Sequence, residues 1–150
     1  MISFLRSDKN INEFIERPSA ETKEKSLEFI SKINNGINNL EFYYWAITNK
    51  NNTEMIGSIC LWNFSKNKKT AEIGYDLSPD FQGKGIMNES LISVLNFGFS
   101  KLNLNSILAY THKLNENSKK LLLKNGFRLL KNNTIESNTN TLVYEIKKPV

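Results

Sequence analysis

Cysteine and histidine are almost absent from this chain of 150 residues, which contains one of each, Cys60 and His112. A single cysteine excludes an intramolecular disulfide framework and any cysteine-rich zinc site. A lone histidine with no second one nearby argues against zinc catalysis, so we expect no metal cofactor. Proline and glycine are also scarce, with three and seven residues, and no linker rich in either is visible. Together with the length, this predicts one domain over residues 1–150.

Long apolar runs are missing as well. No run approaches the 18 or more residues of a membrane span, and the first ten residues lack the apolar segment of a signal peptide. Hydrophobic residues make up 39% of the chain and aromatic residues 11%, which favours a folded protein over a disordered one. We therefore expect a soluble, cytoplasmic protein that does not bind a membrane.

An even charge balance is missing too, since 20 Lys and Arg residues face 15 Asp and Glu residues, a net charge of +5. Such an excess suggests a nucleic acid or a membrane surface as partner. However, residues 1–111 contain 12 of each sign, and residues 112–150 contain eight basic and three acidic residues. The excess is therefore a local patch, and we expect no direct nucleic-acid partner. The patch consists of Lys113, Lys119, Lys120, Lys124, Arg128 and Lys131.

The segment after Pro18 is predicted to be a helix, because Ser19 or Thr22 offers an N-cap. Acidic residues in the first turns and a stripe of apolar residues support this, and Asn34-Asn35-Gly36 is expected to end the helix. The acidic residues are Glu21 and Glu24, and the stripe consists of Leu27, Phe29, Ile30 and Ile33.

Runs of aromatic and β-branched residues predict three strands over 42–48, 55–64 and 70–77, joined by polar turns. After Pro79, apolar residues recur at helical spacing, which predicts a helix that follows a glycine-containing loop. Its apolar face consists of Leu91, Val94, Leu95, Phe99 and Leu102.

The last third of the chain is predicted to form a strand over 107–111 and a helix over 117–125, with Gly126 as its left-handed C-terminal cap. Two closing strands are expected over 127–130 and 141–146. Antiparallel hairpins followed by a strand–helix–strand unit indicate an α+β, or mixed α/β, fold.

The most informative segment is the loop after the third strand, which contains Gly83 and Gly85 and opens a helix. The first N–H groups of a helix have no internal partners, and glycines let an anion approach them closely. Two nucleotide motifs do not fit, because Lys84 is followed by glycine rather than Ser or Thr, and Asn88 stands where a dinucleotide fingerprint has its third glycine.

The segment Gln82-Gly-Lys-Gly-Ile-Met87 resembles the Gln/Arg-x-x-Gly-x-Gly/Ala pyrophosphate loop of the GNAT acyltransferase superfamily, with Met87 in place of the usual small residue. The downstream segment Asn115-Glu-Asn-Ser118, followed by Lys-Asn-Gly-Phe127, resembles the second signature of that superfamily. Ile-Gly-Tyr-Asp-Leu and Asn-x-x-Ser are similar to the RimJ/RimL-like branch, which acetylates the N-termini of ribosomal proteins. Members often begin with a further strand carrying Leu-Arg-Pro-Leu, and we expect this chain to start after or within that strand. Part of the substrate-side wall is therefore expected to be shortened or rebuilt here.

The resemblance implies a single GNAT-like domain with a central, mostly antiparallel sheet and a splayed parallel strand pair flanked by helices. Acetyl-CoA would bind in the opening between the strand that ends at Leu77 and the strand that ends near Thr111. Leu77 would pair with the pantetheine and polarise the thioester carbonyl, and Asn115 would hold the pantetheine arm. The residues expected at the CoA phosphates are Gln82, Gly83, Lys84, Gly85, Ile86, Met87, Lys119 and Lys120.

Acetyl transfer to an amine needs a base for the ammonium and a donor for the departing thiolate. Glu72 is the candidate base, with a solvated or substrate-orienting carboxylate as the alternative, and strand alternation places Asp76 on the same side as a second acid. Many superfamily members use a tyrosine as donor where this chain has Leu122. The resemblance to the RimJ/RimL-like branch implies Ser118 as the donor or hydrogen-bond partner of the CoA sulfur instead, with a helix-capping role as the alternative.

Four other side chains carry simpler expectations. Cys60 is predicted to be a small core residue, so no acyl-enzyme is expected. Trp45 and Trp62 are predicted to line the core or the acceptor pocket, and Phe97, like Phe99, to lie in the core.

We therefore expect an acetyl-CoA-dependent N-acetyltransferase that modifies a primary amine, first of all the N-terminal amine of a protein. A small amine such as a polyamine or an aminoglycoside is the alternative acceptor. A non-catalytic acyl-CoA-binding module and a basic nucleic-acid-binding protein are alternatives of other classes. The resemblance also implies a possible homodimer, because relatives often dimerise.

Overall fold

A computed structural model describes residues 22–51, 53–130 and 140–150 of the chain. These residues form three α-helices, six β-strands and a short 3-10 turn at Pro79–Phe81. In chain order the elements are α1 (Lys23–Asn38), β1 (Tyr43–Thr48), β2 (Met55–Trp62), β3 (Thr70–Leu77), α2 (Ile86–Ser100), β4 (Ser106–His112), α3 (Glu116–Lys124), β5 (Arg128–Leu129) and β6 (Thr141–Lys147).

The six strands form one sheet in the order β1-β2-β3-β4-β6-β5. Neighbouring strands are antiparallel except β3 and β4, which are parallel and are joined by the crossover helix α2. The mixed α+β class predicted from the sequence is confirmed, and so is a mostly antiparallel sheet with one parallel pair.

Strand alternation divides the side chains of β3 between the two faces of the sheet. Ala71 and Ile73 point toward α2 and join the hydrophobic core, whereas Glu72 points to the opposite face. On the core side α2 contributes four buried residues of the predicted stripe, Leu91, Val94, Leu95 and Phe99. Leu102, the fifth member, lies beyond the end of the helix and packs only partly against the core.

Helix α1 differs from its prediction at its C-terminal end. Thr22 caps the helix, because its Oγ1 accepts a hydrogen bond of 3.2 Å from the Lys25 N–H. The helix continues through Gly36 to Asn38, so the predicted end at residues 34–36 is wrong. A Cβ on Gly36 would lie 2.1 Å from Cζ of Phe42, which shows that this glycine lets an aromatic ring pack against the helix.

The apolar stripe predicted for α1 coincides only in part with its buried face, because Phe29 and Ile33 are half-buried and the other two members are exposed. Leu27 is 55% exposed and Ile30 39% exposed, whereas Ser26 and Gly36 are buried. The predicted cap Ser19 and the first-turn acid Glu21 lie outside the described residues.

Gly126 ends α3 as the sequence predicts. Its φ is +91°, and the N–H groups of Gly126 and Phe127 donate to the carbonyl oxygens of Leu123 and Leu122. This is the Schellman arrangement, in which two otherwise unsatisfied carbonyl groups at the helix end are bonded. It turns the chain so that Phe127 enters the core and β5 follows immediately.

Candidate functional site

The parallel pair β3 and β4 stays together for only four residue pairs, the last of which is Ile73 opposite Ala109. Beyond that point the strands diverge, while β3 continues to pair with β2 as far as Leu77. The Ser78 N–H donates to the Ile56 carbonyl over 2.8 Å, which fixes the alternation of hydrogen bonds along β2 and β3. By that alternation, the backbone N–H and C=O groups of Tyr75 and Leu77 face away from β2 and toward the gap.

The loop that closes this gap is held against β3 by Gln82. The Gln82 side-chain amide donates a hydrogen bond of 2.9 Å to the carbonyl oxygen of Leu77. Gly83 and Gly85 both adopt left-handed backbone conformations, with φ of +73° and +80°. A Cβ built on either glycine would meet no atom of the described chain within 4 Å. The loop therefore presents open backbone beside the gap.

Helix α2 begins directly after this loop, with Gly85 as its N-cap. Glycine supplies no side-chain oxygen, so no side chain bonds the first N–H groups of the helix at its cap. These groups, at Ile86 and Met87, lie at the positive end of the helix dipole and suit an anion. The loop and the helix start therefore have the chemistry of an anion-binding site. Lys84 lies in the loop, with Nζ 5.5 Å from the centre of the Phe81 ring.

Helix α3 brings Asn115 and Ser118 to the other side of the gap. The Asn115 side-chain oxygen accepts a hydrogen bond of 3.1 Å from the Ser118 N–H, so Asn115 is the N-cap of the helix. The capping role considered for the Ser118 hydroxyl thus belongs to Asn115. Ser118 is 8% exposed, and its Oγ lies 2.7 Å from the hydroxyl oxygen of Tyr75.

Tyr75 is a residue of this site that the sequence reasoning did not single out. It is half-buried on β3, and burial of its hydroxyl raises its pKa to about 12, against a smaller lowering by the hydrogen bond with Ser118. Strand alternation places Tyr75 on the face opposite to Glu72, which is the face that the helices α2 and α3 cover. This alternation is the signal in the sequence from which its position could have been predicted.

Glu72 lies on the opposite face of the sheet from Ser118, in the part of β3 that still pairs with β4, where it stands beside Leu108. The Asn63 amide donates to Glu72 Oε2 over 3.0 Å. Burial raises the pKa of Glu72 above its ordinary value, and the hydrogen bond from Asn63 partly offsets the rise. The pKa of Tyr110 is also raised, by burial and then by the negative charge of Glu72, so these two side chains share one environment.

Asp76 shares the face of Glu72 but not its surroundings. It is 6% exposed, and its carboxylate accepts a hydrogen bond of 2.5 Å from the Ser58 hydroxyl. The Tyr44 hydroxyl lies 3.0 Å from Ser58 Oγ. Because Ser58 gives its only hydrogen to Asp76, Tyr44 must donate to Ser58. Asp76 therefore belongs to a largely buried hydrogen-bonded chain, and Glu72 is the more accessible acid.

The basic patch is only partly available for an anion. Lys119 Nζ donates to the Glu116 carboxylate over 2.6 Å and to the Lys113 carbonyl over 2.9 Å. Lys120 is exposed on the same helix. Both lysines are expected near the phosphates, but Lys119 is engaged in an ion pair. Within the described part of the chain, Lys120 forms no ion pair. Lys131 lies outside the described residues.

The side chains predicted to lie in the core or the acceptor pocket differ in their surroundings, and Trp45 and Phe97 pack against the core. Cys60 is half-buried on the Glu72 face, where β2 brings it opposite Gly74, so the prediction of a core position is wrong. Trp62 stands opposite Glu72 and is 46% exposed. Trp45 and Phe97 are half-buried and line a cavity of about 640 Å³ between β1 and α2. Phe99 is buried, as predicted.

The described residues form neither a cluster of metal-binding side chains nor a membrane-crossing helix. No three His, Cys, Asp or Glu side chains come close enough together in residues 22–51, 53–130 and 140–150 to hold a metal ion. Within the same ranges, no helix has the length and apolar content that a bilayer crossing requires.

The chain is similar in sequence to proteins that are described as acetyltransferases. Residues 1–128 match the family described as "Acetyltransferase (GNAT) domain". "Uncharacterized N-acetyltransferase YoaA" of Bacillus subtilis is 36% identical over 110 residues, which cover 70% of this chain and 62% of YoaA. "Putative ribosomal N-acetyltransferase YdaF" of the same organism is 32% identical over 73 residues, which cover 49% of this chain and 40% of YdaF. The chain thus matches about three fifths or less of the length of these two relatives.

One solved structure shows the same arrangement of strands and helices. RimL, described as a ribosomal L7/L12 alpha-N-protein acetyltransferase in complex with coenzyme A, matches with a TM-score of 0.82 at 19% identity. The match covers 95% of this chain and 83% of RimL. At that identity the likeness establishes the fold alone.

Proposed function

Because this chain belongs to the GNAT acetyltransferase family, we propose that it transfers an acetyl group from acetyl-CoA to a primary amine. The observation that carries this proposal is the open loop at Gly83 and Gly85, which places the start of α2 beside the gap between β3 and β4. A pyrophosphate needs N–H donors at a helix start, and a pantetheine arm needs an extended partner with unpaired backbone groups. The gap offers both at adjoining positions.

The proposed placement of acetyl-CoA uses the residues expected from the sequence. Its pyrophosphate would bind the N–H groups of residues 83–87, because the Gln82 N–H already donates to the Pro79 carbonyl. Gln82 would act through its side chain, which holds the loop against Leu77. The positive charges of Lys84 and Lys120 would also attract the phosphates. Its pantetheine would pair with β3, where Leu77 presents its N–H to the gap. Asn115, at the start of α3, would hold the arm from the opposite side.

The proposed chemistry is a direct attack of the amine on the thioester carbonyl. An N–C bond forms and the C–S bond breaks, with its electron pair going to sulfur. The nitrogen releases its second proton to solvent as the amide forms, and the departing CoA thiolate takes up a proton from solvent. Glu72 would take the proton of the acceptor ammonium, a role that suits a carboxylate whose pKa is raised by burial. The Leu77 N–H would stabilise the developing oxyanion, and Ser118 would donate a hydrogen bond to the departing sulfur.

For the acceptor we propose the N-terminal amine of a protein, of the ribosomal type. Support comes from the residues shared with the RimJ/RimL-like branch, and from YdaF, a relative that is named as a ribosomal N-acetyltransferase. The Glu72 face is open beside Trp62 and carries an acid suited to a cationic amine. A ribosomal-protein acceptor would place the reaction in the cytoplasm, and a homodimer remains part of the proposal, to be tested by gel filtration.

The deciding experiment measures release of the CoA thiol with acetyl-CoA and a panel of N-terminal peptides, polyamines and aminoglycosides. Turnover of peptides above all small amines supports the proposed acceptor. Turnover restricted to polyamines or aminoglycosides replaces it with the alternative acceptor. Binding of acetyl-CoA without turnover of any amine favours a non-catalytic acyl-CoA-binding module.

A further inference from the structure

The hydroxyl of Tyr75 has one hydrogen-bond partner among the described residues, which is the hydroxyl of Ser118 at 2.7 Å. The two residues are 43 positions apart in sequence and lie on β3 and α3, the elements that border the gap from two sides. The bond therefore joins the strand proposed to hold the pantetheine to the residue proposed to face the CoA sulfur.

The direction of this bond follows from the chemistry of the two groups. A buried phenol that has one polar neighbour satisfies itself best by donating to it. Burial raises the pKa of Tyr75 to about 12, so the phenol keeps its hydrogen throughout the working range of pH. When Tyr75 donates, the one hydrogen of Ser118 is left to point at another acceptor. The Ser118 N–H is already bonded to the Asn115 side chain, so both the backbone and the hydroxyl of Ser118 are held in place.

We propose that Tyr75 is a positioning residue, which donates to Ser118 Oγ and thereby directs the Ser118 hydrogen at the sulfur of CoA. This inference rests on the proposed function and adds to it a residue that acts through another one. Neither hydroxyl has to lose its proton in this role. A thiol has a pKa of about 8.5, so its thiolate is an adequate leaving group when it accepts a hydrogen bond. The donor chain lowers the energy of that thiolate.

The test compares the binding of CoA and of desulfo-CoA, which lacks the sulfur, to wild type, Tyr75→Phe, Ser118→Ala and the double variant. Calorimetry at pH 9 measures affinity where the CoA thiol is largely ionised. We expect Tyr75→Phe to weaken CoA binding about tenfold, the size of one charge-assisted hydrogen bond, and to leave desulfo-CoA binding unchanged. The double variant should lose no more than Ser118→Ala, because the two hydroxyls act in one chain.

Steady-state kinetics supply a second measurement. In Tyr75→Phe we expect kcat to fall about tenfold while the KM for acetyl-CoA stays within about twofold, since the bond to sulfur strengthens only as the thiolate forms. Tyr43→Phe is the matched control, because the Tyr43 ring packs against Trp45 and Phe97 on a different part of the sheet. It should leave both affinities and kcat as in wild type.

Three results would overturn the inference. Equal losses of CoA and desulfo-CoA affinity in Tyr75→Phe would show that the phenol only supports the fold. Additive losses in the double variant would show that Tyr75 and Ser118 act separately. If Tyr75→Phe does not fold, Ser118→Ala removes the same bond from α3, and an unchanged preference for CoA over desulfo-CoA there refutes the chain. Failure of wild type to bind either compound would instead overturn the proposed function itself, and the inference with it.

Discussion

Replacing Gly85 with alanine should weaken acetyl-CoA binding as well as destabilise the fold, and the two effects have different physical origins. The residue has a φ of +80°, which costs an L-residue with a Cβ about 1–2 kcal/mol. No atom lies within 4 Å of the added Cβ, so steric overlap adds nothing to this cost. For a chain of this size we expect Tm to fall by about 2–4 °C per kcal/mol.

The effect on binding has a different origin, because the new methyl group projects into the space where a phosphate would approach the start of α2. We expect acetyl-CoA affinity to fall at least tenfold, or about 1.4 kcal/mol. Gly85→Glu should abolish binding, since a carboxylate would then face the pyrophosphate. Thermal denaturation followed by circular dichroism measures the stability, and calorimetry measures the affinity.

Gly126→Ala provides the matched control. Gly126 also has a positive φ, +91°, and a Cβ there would meet its nearest neighbour, Ile146 Cδ1, at an ordinary 3.6 Å. The two alanine variants should therefore lose similar stability, while Gly126→Ala keeps full acetyl-CoA affinity. An affinity for Gly85→Ala within twofold of wild type would refute the loop assignment, as would an equal loss of affinity in Gly126→Ala.

Three further substitutions test other parts of the site. Ser118→Ala should lower kcat about 10- to 100-fold in the thiol-release assay with little change in KM, and an unchanged kcat would remove Ser118 from the mechanism. Glu72→Gln should flatten the rising limb of the pH–rate profile, and persistence of that limb would point to another base. Because the folded protein raises the pKa of Glu72 above its ordinary 4.5, it binds this proton more tightly than the unfolded chain does. Stability should thus fall as pH rises from about 4.5 through the raised pKa, and urea denaturation at several pH values should show this slope reduced in Glu72→Gln. Gln82→Ala removes the bond to the Leu77 carbonyl and should cost about 1 kcal/mol together with some acetyl-CoA affinity, whereas unchanged values would show that the loop is held by its backbone alone.

Features that depend on local sequence were predictable. The limits of β3 came out as Thr70–Leu77, because β-branched and aromatic residues lie between a polar turn and a proline. The cap at Gly126 followed from the positive φ that glycine adopts without strain. The loop at Gly83 and Gly85 belongs to the same class, since its conformation is set by residues that are neighbours in the chain.

Features that depend on tertiary contacts were not predictable from the same patterns. Gly36 reads as a helix end, but the Phe42 ring packs against it and the helix continues. The apolar residues of α1 predicted only part of its buried face, and the hydrophobic neighbours of Cys60 in β2 did not predict its half-buried position. Burial depends on which surfaces the fold covers. The bond between Tyr75 and Ser118 spans 43 residues, so no local pattern contains it.

The early separation of β3 and β4 also has a thermodynamic consequence for the protein as a whole. Tyr75 and Leu77 present their backbone groups to a gap rather than to a paired strand, so no hydrogen bond to β4 stabilises β3 at this point. A ligand that pairs there supplies a piece of sheet from solution, and at a hundredfold excess over its Kd it stabilises the folded state by about 2.7 kcal/mol. Acetyl-CoA should therefore raise Tm and slow amide hydrogen exchange at these two residues first. Binding of the substrate thus stabilises this part of the sheet before the reaction takes place.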